Sequence, residues 1–165
     1  MGRIIQPARV PGAGVAAPDI ISGYYATGQT FIKGALLVHN SSGELTECGA
    51  DPATVAGVAL EKAGSKPGYD AANSPTVVTG RVQEVSYAKA NRQTVFSMRA
   101  VNGGTDPVTP TQTMIDEAYG VLKTGAGEWV LDQAETTAKV FEIVDIDIDN
   151  KIFFCKFLEA VLGTP

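Results

Sequence analysis

The sequence predicts an all-β fold, a small β-barrel or sandwich with short helical turns and an extended N-terminal arm. Three observations predict it. The 18 glycines and 9 prolines fall largely between short apolar runs, the punctuation of many turns joining short strands. Those runs are too short to make stable helices but long enough for buried strands. Near the C-terminus, Val144, Ile146 and Ile148 alternate with Asp145, Asp147 and Asp149, the period of two that a strand requires.

The arm is residues 1–18 and the β-domain residues 19–165. Pro7, Pro11 and Pro18, with Gly2, Gly12 and Gly14, prevent helix in the arm and favour extended backbone. Fully extended it would span on the order of 55–60 Å. Ile4, Ile5, Val10 and Val15 are more apolar than a solvated linker needs, so the arm reads as a fastener. A terminus of this composition becomes ordered only where something ties it down.

Strand signals begin at Thr27. Phe31 and Leu36-Leu37-Val38 lead into the turn cluster Asn40-Ser41-Ser42-Gly43, and Glu44–Cys48 returns, a hairpin. Asp51-Pro52 suggests one helical turn with Asp51 as its cap. Val55–Leu60 suits a buried strand, and Gly64–Pro75 a loop. Thr76–Tyr87 reads as strand, broken at Gly80. Another strand is expected at Thr94–Met98, a loop at Asn102–Pro110, and one or two helical turns at Thr111–Ala118, capped by Thr111. Tyr119–Lys123 and Glu128–Asp132 flank Gly125-Ala126-Gly127, a second hairpin, with Trp129 in the core.

The last hairpin is expected over Val140–Asp149 and Ile152–Leu158, turning at Asn150-Lys151. That register sets Ile148 against Phe153, Ile146 against Cys155, Val144 against Phe157 and Asp145 against Lys156. Ile152, Phe154 and Leu158 then share the Asp-bearing face. A face that mixes large apolar groups with carboxylates suits a contact surface.

Length, charge and chemistry narrow the function. A chain of 165 residues suits one domain that buries roughly 70% of its unfolded surface. The formal charge is −5, which argues against the basic footprint of a nucleic-acid binder. Residues 1–18 carry +2, which leaves −7 on the remainder. No apolar run reaches the roughly 20 residues of a membrane helix, and the prolines of the arm interrupt any signal peptide. Cys48 and Cys155 make no metal-type pair and read as buried reduced thiols, so an intracellular origin is expected.

No catalytic residue, cofactor site or metal site emerges. The one histidine, His39, stands beside a turn, and neighbouring Ser41 and Ser42 rarely give triad geometry. No phosphate loop or dinucleotide fingerprint occurs. Asp145-x-Asp147-x-Asp149-Asn150 fails the EF-hand pattern, because Asn150 stands where glycine is needed and Lys156 where glutamate is. It reads as a solvated strand face. The Asn40-Ser41-Ser42 sequon has no secretory context.

Asp51-Pro52-Ala53-Thr54-Val55-Ala56-Gly57-Val58-Ala59-Leu60-Glu61 resembles a stretch of small bacteriophage capsid decoration, or cement, proteins. Tyr119-Gly120-Val121-Leu122, followed by Gly127-Glu128-Trp129-Val130-Leu131-Asp132, is similar to their later hairpin. Val140–Asp149 with Ile152–Leu158 is similar to their closing strands. The resemblance covers about half the chain, and the order of the segments carries it.

What it implies is a virion protein, made in the host bacterial cytoplasm, that binds the exterior of the capsid and reinforces it against packaged DNA. The implied partners are the major capsid protein and copies of this chain, usually as a trimer, with no enzymatic activity, cofactor, nucleic acid or membrane. Expected partner contacts are Arg3, Ile4, Ile5, Arg9 and Val10 on the arm, with Phe154 and Leu158 on the closing hairpin. The alternatives are a phage tail or neck component and a carbohydrate-binding attachment module.

Overall fold

A computed structural model describes residues 5–8, 17–64, 83–104 and 106–163. Its strands are β1 (Gln6–Ala8), β2 (Ile20–Tyr24), β3 (Leu36–His39), β4 (Leu45–Glu47), β5 (Gly57–Ala59), β6 (Glu84–Lys89), β7 (Val95–Met98) and β8 (Ala100–Val101). After a single 3-10 turn at Gln112–Met114 come β9 (Ala118–Lys123), β10 (Trp129–Asp132), β11 (Phe141–Asp147) and β12 (Ile152–Phe157). A second 3-10 turn at Glu159–Val161 follows. The fold is all-β, as the turn punctuation predicts.

The strands form two sheets, a sandwich-like arrangement rather than one closed barrel. Seven strands run in the order β1-β7-β12-β11-β9-β10-β8, and five in the order β2-β6-β5-β3-β4. Both sheets curl. In the first, Arg99 alone separates β7 from β8, which lies parallel to β10 at the other end of the order. In the second, Tyr25 bridges Leu45 and brings the two edge strands together.

One continuous apolar cluster joins the sheets. From the seven-stranded sheet, Phe96, Phe141, Ile143, Phe153, Cys155 and Phe157 are completely buried. Phe96 meets Phe157 edge-on at 5.2 Å between ring centres, and Phe141 lies 4.3 Å from Phe157, distances at which aromatic pairs add to burial. From the five-stranded sheet, Leu36, Leu37, Leu45, Val58, Ala59, Val85 and Ala88 belong to the same cluster with no exposure.

Local chemistry explains the elements. In the first hairpin the Asn40 side-chain oxygen accepts the N–H groups of Ser42 and Glu44, each at 2.9 Å. Gly43 takes φ +78, a left-handed conformation that glycine adopts without steric cost. At Gly57 a side chain is excluded, because a Cβ there would meet the Ala88 carbonyl oxygen and the Tyr87 ring. The second hairpin joins β9 to β10 with Lys123 opposite Trp129, and Trp129 is buried, as its sequence context suggests.

Several expectations are corrected. Asp51 opens no helical turn. It sits at φ +50, outside the helical region. At Thr111–Ala118 the helical part is limited to Gln112–Met114; Thr111 makes no side-chain cap bond, and Ala118 already begins β9.

The closing hairpin is the main correction. Asp147 pairs with Ile152, Ile146 with Phe153 and Asp145 with Phe154, and a bulge at Val144 then sets Ile143 against Cys155 and Glu142 against Lys156. The turn takes Ile148–Lys151. Asp147 holds it, its carboxylate accepting the backbone N–H of Asn150 at 3.0 Å and the Asn150 side-chain N–H at 2.8 Å. The bulge reverses the alternation, so Phe141 and Ile143 on one side of it and Ile146 on the other all contribute to the core.

Part of the arm belongs to the body. β1 pairs antiparallel with β7, and Ile5 is completely buried in the common core. The boundary expected at residue 18 therefore does not separate Ile5–Ala8 from the domain. The loop expected over Gly64–Pro75 and the strand break at Gly80 lie outside the described residues, apart from Gly64 itself.

Candidate functional site

Of the expected contact residues, the structure describes Ile5, Phe154 and Leu158. Arg3, Ile4, Arg9 and Val10 lie outside the described residues. Ile5, expected to meet a partner, immediately precedes β1 and is completely buried in the core. Phe154 is half-buried in a cross-strand row that runs Gln6, Ser97, Phe154, Asp145. Leu158 is half-buried beyond the end of β12 and donates its N–H to the Val140 carbonyl at 2.9 Å.

Among the described residues, three large apolar side chains stand exposed: Ile20 at 55%, Tyr24 at 54% and Ile148 at 47%. Ile20 and Tyr24 lie on one face of β2, whose exposure alternates along its length. β2 is an edge of the five-stranded sheet. Ile148 stands at the tip of the β11–β12 hairpin, where the four-residue turn lifts it out of the strand. Sequence reasoning missed all three as contacts. The β-branched and aromatic run Ile20-Ile21-Ser22-Gly23-Tyr24-Tyr25 was the available signal for β2, and Asp147-x-x-Asn150 was the signal for the turn.

A cleft of about 450 Å³ lies beside the junction of the sheets, with Cys48, Asp51, Val121, Trp129, Asp132 and Glu135 among its walls. Next to it the Glu47 carboxylate makes two contacts across the junction. It accepts the Trp129 indole N–H at 2.9 Å and pairs with the Lys123 ammonium at 2.7 Å. Asp132, also buried, accepts the N–H groups of Gly103 and Ala134. These carboxylates are occupied in holding backbone and sheets together.

The thiols are placed for packing. Burial, and secondarily the charge of Glu47, pushes Cys48 up to about 12. Burial alone raises Cys155 well above the ordinary thiol range. A thiol held neutral in this way is a poor nucleophile. His39 is exposed, and its Nδ1 lies 3.1 Å from the Gly43 carbonyl. Among the described residues no group of three or more His, Cys, Asp or Glu side chains is placed to hold a metal ion. No helix there is long and apolar enough to cross a membrane.

No protein-family model matches the chain, and no curated protein matches it.

Proposed function

We propose that this chain is a virion structural protein that docks on the outer surface of a phage capsid and stabilises it by binding alone. One observation carries the docking part of that reading. Among the described residues the exposed large apolar groups sit on a sheet edge and on a hairpin tip, on different elements. Small-molecule sites gather apolar groups inward, whereas an unpaired strand edge bearing exposed apolar groups is a template for pairing with another chain. The choice of a capsid as partner rests on the order of the decoration-protein-like segments.

Two separate contact elements also suit the mechanism. A protein that touches one neighbour through β2 and another through the Ile148 tip makes its second contact effectively intramolecular, so modest contacts add up to firm attachment. The partners in this reading are the capsid protein and other copies of this chain.

Co-sedimentation tests it. Purified chain should pellet with intact particles stripped of it and remain in the supernatant with dissociated capsid protein. Ile148→Lys should weaken attachment to particles while leaving the fold intact. Equal pelleting of wild type and of an unrelated acidic protein would count against the proposal.

A further inference from the structure

We propose that β2 is a self-association edge, pairing antiparallel with β2 of a second copy about a two-fold axis at Ile21. This rests on the reading that the chain works through protein contacts, but it does not require a capsid.

The ladder with β6 determines which backbone groups are free. Lys89 donates its N–H to the Asp19 carbonyl and Tyr25 donates its own to the Gln83 carbonyl, both at 2.8 Å. Odd-numbered residues of β2 therefore face β6, and the backbone groups of Pro18, Ile20, Ser22 and Tyr24 point away from it. Among the described residues β2 ends its sheet, and none of their strands continues the ladder beyond Ile20 and Ser22. The free edge stops at Tyr24, because Tyr25 bridges Leu45 in parallel and Ala26 donates to the Leu45 carbonyl at 2.9 Å. That bridge turns the Tyr24 carbonyl towards Leu45.

Natural sheets usually blunt such an edge with lysine, proline or a bulge. Ile20–Tyr24 has none of these and carries no charge. It is also complementary to itself. With the axis at Ile21, Ile20 stands opposite Ser22 of the second copy and the two exchange both backbone hydrogen bonds, twice by symmetry. Pro18 then faces Tyr24 of the second copy. The intermolecular ladder ends there, because proline has no N–H to place and Leu45 already lies against that side of Tyr25 and Ala26. Ile21 meets its own copy on the half-buried face, and Asp19 faces Gly23, so no like charges oppose each other. A register that paired Ile20 with Tyr24 would instead call on the carbonyl already turned to Leu45. The order of association is two, not the three implied by resemblance to decoration proteins.

Sedimentation equilibrium on the purified full chain, without particles, tests the proposal. The expected result is a reversible monomer–dimer equilibrium, with amide exchange at Ile20 and Ser22 slowing as concentration rises. Ser22→Pro removes an outward-facing N–H at a position where an edge strand tolerates the ring, and Ile20→Lys places a charge on the edge. Each should weaken association at least tenfold while leaving the thermal midpoint unchanged at concentrations low enough for wild type to be monomeric. A monomer at every concentration, a trimer, or a dimer whose Ile20 and Ser22 amides exchange at the monomer rate would overturn it. A monomer whose Ser22→Pro variant also loses particle attachment would give the edge to a capsid strand instead. A dimer of the expected kind that ignores particles would leave this inference standing and remove the capsid reading.

Discussion

The seven-stranded sheet packs mostly rings, and the five-stranded sheet mostly small and aliphatic side chains, with the Tyr87 ring among them. Phe96, Phe141, Phe153, Phe157 and Trp129 come from the first; Leu36, Leu37, Val58, Ala59 and Ala88 come from the second. Large rings bury more apolar area per residue. The small residues of the other sheet permit closer backbone approach, as at Gly57 beneath Ala88. The first sheet therefore contributes most of the large buried rings, while the edge strand of the second carries the exposed Ile20 and Tyr24. Buried rings are thus concentrated in the first sheet, whereas the exposed apolar groups sit on the edge of the second and on the Ile148 tip of the first, with Glu47 tying one sheet to the other.

The division can be broken most severely at the rings. Phe141→Ala should cost about 3–5 kcal/mol in denaturant unfolding, the range for removing a buried phenylalanine. Because the apolar cluster is continuous, both sheets should still unfold in one transition. Two separated transitions would show that the sheets do not share a core.

A smaller effect is expected at the joint. Glu47→Ala leaves the buried Trp129 N–H without its acceptor, a loss of about 1–3 kcal/mol. Glu47→Gln keeps an acceptor and should recover much of it. If both variants cost the same, the Lys123 pair rather than the indole bond is what matters at the junction.

Alkaline pH acts on the two sheets through their thiols. Cys48 lies just after β4 and is raised from 9.0 to about 12; Cys155 lies in the other sheet and is raised in the same direction. The folded chain therefore holds protons that the unfolded chain releases. This contribution to stability is fully present below about pH 9 and is lost as pH rises towards 12. The thermal midpoint should fall across that window, and Cys48→Ala should flatten part of the fall. An unchanged slope in that variant would contradict the burial argument.

The smallest effects on stability belong to the contact surface. Ile148→Lys and His39→Ala should each stay within about 0.5 kcal/mol of wild type, as exposed substitutions usually do. Only the first should change particle attachment.

Legibility in the sequence followed the same division. The two hairpins with glycine-bearing turns, Asn40–Gly43 and Gly125–Gly127, were readable because their turns are made by local chemistry. The buried thiols and Trp129 were readable from their apolar settings. The closing hairpin was not, because its regular alternation hid a bulge at Val144 and a turn that begins at Ile148. Both depend on side-chain bonds of Asp147 and on pairing with β12, which periodicity does not carry. β1 was hidden by Pro7, whose ring is tolerated only because the strand is an edge. The candidate contact edge β2 lay before the point where strand signals were first read, and Phe154 and Leu158 proved to be half-covered by their own chain.

The central claim is that this protein stabilises a shell through contact alone. A protein that binds the assembled shell but not its dissociated parts shifts disassembly by mass action. The most direct measurement is the temperature at which particles release DNA when stripped of the chain, and again after purified chain is added back. Stripped particles should release DNA at a lower temperature, and wild-type chain should restore the difference in a concentration-dependent way. The same release temperature for stripped and restored particles would contradict the account.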